Sequence, residues 1–336
     1  MENLKDSFIK ALQATSGVTD NSYLVFLRDA VEKVSDASQL DSILAEYNQK
    51  LLKISSENNF SLDPDKTNEF AQLLGEAQFY LFCKNRGVNL ERIKECNNKT
   101  PDFKHVNQDI FFEVKTLSVV SGGSGINNAL EDALDAQIDI EKQLQSGKRV
   151  ATGISVVQPY GEKPYQKGKG TVTAVIETLI EKTKQNLKKE QFSNGVSFLV
   201  LNLSIIPPFR TENFILRPAY CDDYMFKKCI SGELWMVAFA RPGMPVLGMP
   251  EFEGKPCVES IIDRYGILVD QEYDFVDGIL FMIHPWQRNA EIWGLFSYDK
   301  YVSWKDNEPD IVNTLNSIVG NNWNDDKDTN GCILNG

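Results

Sequence analysis

Histidine is almost absent from this 336-residue chain: His105 and His284 are the only two, too few and too isolated for a His-rich metal site. Cysteine is scarce as well. The six residues at 83, 96, 221, 229, 257 and 332 include no Cys-x-x-Cys pair. That argues against a zinc knuckle or a disulfide framework and favours reduced thiols in a cytoplasmic protein. Long hydrophobic runs are missing too. Stretches such as Gly278–Ile283 fall far short of the ~20 residues a membrane span requires. Met1–Asp6 has no basic segment leading into an apolar one, so no secretory signal is read there and no membrane partner is expected. No internal repeat occurs. What remains is ordinary for a soluble globular protein, with 42% hydrophobic and 24% charged residues, long enough for two or three domains.

The formal net charge of −12 speaks, as a total, against a protein that coats a polyanion. Its distribution says more. Residues 142–189 carry ten basic and three acidic side chains, while every other region is acidic. This basic island spans Lys142–Arg149, the loop 161–170 with Lys163, Lys167 and Lys169, and a helix around Lys182–Lys189. One lysine-rich run usually means a solvated helix face. Three elements with the same sign suggest a phosphate-facing surface.

Apolar spacing predicts helices over residues 1–60: Leu24, Leu27, Val31 and Val34 form one series, and Leu40, Ile43, Leu44, Tyr47 and Leu51 another. Asp63-Pro64 pairs a capping carboxylate with a first-turn proline, and Gly87 suits the far end of the helix it opens. Strands are predicted at Val88–Ile93, Asp102–Val106 and Ile110–Leu117, the last two joined by a tight turn at Asn107–Asp109. After a Ser/Gly-rich loop over 118–128 come a helix at 127–146, a strand at Val150–Val157, a helix at 171–190 and a strand at Val196–Leu203. Farther on, strands are expected at Leu234–Ala240, Asp277–Ile283 and Glu291–Tyr298. Two decoys carry no chemistry. Gly168–Thr171 lacks the first glycine of a P-loop, and Asp326–Gly331 begins a calcium loop that has no terminal glutamate.

The chemistry concentrates in Thr100-Pro101-Asp102 and, ten residues on, Glu113-Val114-Lys115. Residues two apart on a strand share a face, so Glu113 and Lys115 project together. A turn near Gln108 pairs Glu113 with Phe103, or one residue away with Asp102. Two carboxylates and a lysine then converge, the set that phosphodiester hydrolysis needs. The carboxylates hold Mg²⁺, and the lysine orients water or steadies developing charge. A cross-strand charged pair on a solvated face is the plain alternative. However, Ile110–Leu117 is apolar on both faces apart from these two side chains, and charge in such a strand needs a reason.

Pro101-Asp102…Glu113-Val114-Lys115 resembles the motif of the PD-(D/E)XK nuclease superfamily, and Gly75-Glu76-Ala77 fits the place of the glutamate on the helix before the meander. The resemblance implies an α/β fold: a restriction-endonuclease-like core over residues 62–205, with a mixed central sheet flanked by helices in the order αβββαβ. A helical region (1–61) would precede it and an α+β region (206–336), with a flexible tail at 321–336, would follow. It implies Asp102 and Glu113 as ligands of Mg²⁺, with Mn²⁺ able to substitute, Lys115 as the water-orienting residue and Glu76 as an auxiliary acid. DNA is the implied substrate, cut by an endonuclease acting in restriction or phage defence. An RNA-directed nuclease and a nucleic-acid-binding or partner-binding protein on the same fold without cleavage are the alternatives. The acidic termini suit a protein partner or a homo-oligomer. Gln137 and Gln143 stay outside the predicted site.

If the island meets phosphate, nucleic-acid binding should be weak and steeply salt-dependent. Reversing the charge of Lys163, Lys167 and Lys169 should flatten the slope of log K against log salt by about 2–3, at ~0.9 per phosphate contact. Fluorescence anisotropy across a KCl series measures this, and an unchanged slope would place the nucleic acid elsewhere.

Overall fold

The computed structural model describes residues 3–14, 27–57, 60, 63–94, 100–117, 135–153, 171–192, 195–204, 216, 232–247, 258–283 and 290–327. The chain divides into two compact units. One comprises residues 1–81, 118–161 and 204–206; the other comprises 82–117, 162–203 and 207–336.

The first unit is helical, as the apolar spacing predicts. Its helices are α1 (Leu4–Ala14), α2 (Arg28–Ala37), α3 (Ser42–Ser55), most of α4 (Pro64–Asn85) and a stretch at 135–145, α5. Asp41 starts α3 by accepting the Ile43 and Leu44 N–H groups, both at 2.9 Å. Asp63 does the same for α4 with Asp65 and Lys66. Phe8, Phe60 and Phe70 form the aromatic centre, with Phe8 stacked on Phe70 at 5.3 Å. Two tyrosines tie α3 and its cap to α4: Tyr47 donates to Glu76 Oε2 at 2.6 Å and Tyr80 to Asp41 Oδ2 at 3.1 Å. Burial, with help from Asp41, pushes the Tyr80 phenol up to about 12.

The second unit is α/β and is built on a seven-stranded mixed sheet in the order β1-β2-β3-β4-β7-β8-β9. Past Gly87, whose φ of +74° suits glycine, come β1 (Leu90–Arg92), β2 (Phe103–His105) and β3 (Ile110–Thr116), an antiparallel meander. Helix α6 (Thr171–Asn186) crosses over to β4 (Val196–Asn202), which lies parallel to β3. Helix α7 (Glu233–Phe239) and a separate two-stranded ribbon, β5 (Pro245–Leu247) and β6 (Val258–Ile261), follow. The main sheet then resumes with β7 (Gly278–Ile283), β8 (Glu291–Phe296), α8 (Tyr298–Asn307), α9 (Pro309–Val319) and β9 (Trp323–Asp325). The segment after residue 205 therefore supplies strands of the same sheet as β3 and β4.

One face of that sheet is aromatic. Phe198 lies 5.9 Å from both Phe112 and Phe296 and 5.6 Å from Trp304. Glycines in two strands make the room: a Cβ at Gly278 would stand 2.5 Å, and one at Gly294 2.4 Å, from the Phe296 ring.

Three sequence expectations fail. Leu234–Ala240 is helical rather than a strand, through α7. Every residue of the run is buried, and a short, wholly apolar run has no periodicity to separate a strand from a core helix. Residues 150–153 form no strand, and the rest of that predicted strand, 154–157, lies outside the described residues. In the polar segment 321–336, expected to fray, Trp323–Asp325 form a strand, while 328–336 lie outside the described residues. In β9, Trp235 donates to the Asp325 carbonyl and the Asn324 amide to the Leu216 carbonyl. Among the described residues no helix is long and apolar enough to cross a membrane.

Lys184 of α6 pairs with Asp270 and donates to the Tyr265 carbonyl at 2.9 Å. Burial raises the Asp270 pKa, but its bonds to Lys184 and to the Glu272 N–H outweigh that and leave it below the ordinary carboxylate value. A depressed folded pKa stabilises fully above the unfolded value of ~3.9 and is lost as pH falls through the folded one. Asp270→Asn should therefore flatten the loss of unfolding free energy below about pH 4. Denaturant titrations across pH test this, and parallel curves for parent and variant would remove Asp270 from the account.

Candidate active site

The hairpin register decides what Asp102 faces. Phe103 pairs with Phe112 and Lys104 with Phe111, so continuing the ladder sets Asp102 opposite Glu113. The turn is centred between Asn107 and Gln108, and Glu113 faces Asp102 rather than Phe103. Gln108 accepts the Thr314 hydroxyl at 2.8 Å, which ties this turn to α9. Across the same turn Lys104 pairs with Asp109 at 2.9 Å.

Asp102 stands where β2 gives out. The Val114 N–H points toward β2, and its ladder position falls at Pro101, beyond the strand end. The Asp102 Oδ2 accepts that N–H at 2.8 Å, while the Asp102 carbonyl accepts the Ile93 N–H at 2.9 Å. The residue is thus locked to both neighbouring strands, with its side chain half-buried.

Glu113 is 2% exposed. On its β4 side its row across the sheet runs through Leu199, Ile279 and Leu295, all fully buried, so the acid abuts apolar neighbours there. A carboxylate taken out of water requires compensation by charge or hydrogen bonds. Lys115, on the same face two residues on, pairs with Glu113 Oε1, and Gln191 Nε2 donates to the same oxygen. The Lys115 side chain is 21% exposed against 2% for its partner, so water reaches the pair from the lysine.

The structure thus brings Glu113 and Lys115 into contact on one face of β3 and sets Asp102 at the end of β2, one ladder step beyond the Phe103–Phe112 pair and bonded to the Val114 N–H. Glu76 belongs to the first unit, where it lies on the half-buried side of α4 and accepts the Tyr47 hydroxyl. Lys163, Lys167 and Lys169 lie outside the described residues, as does His284. In the described part of the basic island, Lys184 is already committed to Asp270. Gln143 donates to the Thr152 carbonyl at 3.0 Å on an exposed surface, in keeping with its place outside the predicted site.

Gln191 is the member that sequence reasoning missed. It sits on the short 3₁₀ turn Lys189–Phe192 ahead of β4, and nothing in Lys-Lys-Glu-Gln-Phe marks it out. The usable signal is topological: once β3 and β4 are read as parallel neighbours, polar residues leading into β4 become candidates.

Among the described residues no group of three or more His, Cys, Asp or Glu is placed to hold a metal. The candidate donors are the carboxylates of Asp102 and Glu113, hard oxygen ligands of the kind Mg²⁺ takes one or two of, filling its octahedron with water and phosphate oxygens. Compared with known proteins, the chain matches no family model, no curated protein and no solved structure. Its chemistry rests on this geometry.

Removing one partner of a desolvated ion pair costs more than removing both. Lys115→Met should lower stability by about 3 kcal/mol, and adding Glu113→Gln should recover most of that loss. Urea unfolding of the two variants tests the point. No recovery in the double variant would mean the pair is not desolvated.

Proposed function

We propose that this protein is a Mg²⁺-dependent phosphodiesterase acting on DNA, in keeping with the sequence's resemblance to PD-(D/E)XK nucleases. What carries the reading is the hairpin register, which continued one step past β2 sets Asp102 opposite Glu113, together with the contact of Lys115 with that buried acid. The element order lends support: α4, a three-stranded antiparallel meander, the helices α5 and α6 and a parallel β4 give the αβββαβ order of the restriction-endonuclease-like core with one helix more.

In this reading Asp102 and Glu113 hold the cation. Magnesium, when bound, neutralises charge on the scissile phosphate and lowers the pKa of a bound water. The Val114 N–H fixes the orientation of Asp102, and the β3–β4 ladder fixes the height of Glu113 above the sheet. Lys115 lies on the solvent side of the buried acid, where its ammonium can orient the attacking water or offset charge on the phosphate. DNA rather than RNA rests on fold-level analogy.

A second reading keeps the sheet without the cleavage. The closed contact among Glu113, Lys115 and Gln191 favours it, since a self-neutralised ion pair serves a nucleic-acid- or partner-binding protein equally well.

Supercoiled plasmid and a matched RNA, incubated with Mg²⁺, Mn²⁺ or chelator, separate these readings. Plasmid nicking in either metal and none in chelator is expected. Asp102→Asn, Glu113→Gln and Lys115→Met should each lower the rate by at least about a hundredfold while remaining folded. Parent-like cleavage by any of the three overturns the assignment, and RNA cleavage alone would change the substrate.

A further inference from the structure

Gln191 is 9% exposed and its amide is anchored at both ends. Its Oε1 accepts the Lys188 backbone N–H at 3.2 Å, and its Nε2 donates to Glu113 Oε1. The first bond settles the second: a backbone N–H needs an acceptor, so the amide oxygen faces Lys188 and the nitrogen must face Glu113. The 3₁₀ turn holds this arrangement, with Phe192 buried beside it against Phe275.

Glu113 Oε1 thus receives two donors of different kinds. Lys115 is a charge on a flexible four-carbon stem, one-fifth exposed and free in its torsions to swing toward water or phosphate. Gln191 is neutral, buried and tethered. Were Lys115 to leave with nothing held in its place, a carboxylate 2% exposed would lose its charged partner and bear the cost of burial. A neutral donor lowers that cost without competing with a cation for the negative charge.

Resting on the nuclease reading above, we infer that Gln191 is a positioning residue. Its hydrogen bond holds the Glu113 carboxylate in one orientation toward the cation while Lys115 moves from Glu113 to the reacting phosphate. Partners that orient a metal ligand in this way typically account for about 10–100-fold in metal affinity.

The test is Mn²⁺ binding to the full-length protein, followed by electron paramagnetic resonance, beside the Mn²⁺ dependence of plasmid cleavage. Gln191→Met keeps the length of the side chain and removes the donor. Gln191→Glu keeps its shape and turns an acceptor toward Glu113. Both should bind Mn²⁺ about 10–100-fold more weakly. Half-saturating Mn²⁺ for cleavage should rise by the same factor, the rate should return at high Mn²⁺, and metal-free DNA binding should be unchanged. If Asp102→Asn weakens Mn²⁺ binding and neither Gln191 variant does, the role of Gln191 is overturned and the site reading stands. Lowered thermal stability with parent-like Mn²⁺ affinity, which is a packing role, overturns it too. If the parent binds no Mn²⁺, or Asp102→Asn binds as well as the parent, the site reading falls and this inference falls with it.

Discussion

A carboxylate withdrawn from water on an otherwise apolar sheet is the constraint around which the second unit is arranged. Glu113 lies in a row with Leu199, Ile279 and Leu295, where an aliphatic side chain would fold more easily. Retaining an acid there requires local compensation, and Lys115 and Gln191 supply it from two directions. Burial strengthens every electrostatic interaction around the acid by lowering the effective dielectric. In the proposed function that same property would strengthen the hold on a divalent cation and on a phosphate beside Lys115.

The rest of the unit serves this placement. The β2–β3 turn, tied to α9 through Gln108 and Thr314, sets the register that brings Asp102 opposite Glu113. The aromatic packing of Phe112, Phe198, Phe296 and Trp304 on the opposite face keeps the strands rigid, with Gly278 and Gly294 yielding space to one ring. A site built on paired strands holds its geometry better than one carried by loops, and metal coordination demands that precision.

Much of this was legible in the sequence because local rules governed it. Asp63-Pro64 opened a helix, Gly87 followed its end, and Ile110–Thr116 carried both its strand propensity and its anomalous charges. The hairpin register was open by one residue, since the turn sequence Asn107–Asp109 allows two centres, and the one used carries bonds that the local sequence does not announce, from Thr314 to Gln108 and from the Val114 N–H to Asp102. Other features were illegible for tertiary reasons. The helix Glu233–Phe239 looks like a strand because complete burial erases periodicity. The strand Trp323–Asp325 looks like a tail because its bonds come from β8, Trp235 and Leu216, residues far away in sequence. Gln191 acquires meaning only when β4 is laid beside β3.

The central claim is that Asp102 and Glu113 jointly hold a divalent cation that bridges the protein to phosphate. Calcium tests it without turnover, because it accepts the same oxygen ligands, is larger, and activates bound water less than Mg²⁺ does. The decisive measurement is DNA affinity with and without Ca²⁺, compared between the parent and Asp102→Asn. Ca²⁺ should strengthen binding by the parent and leave the variant unchanged. Equal binding by both proteins, with or without Ca²⁺, would contradict it.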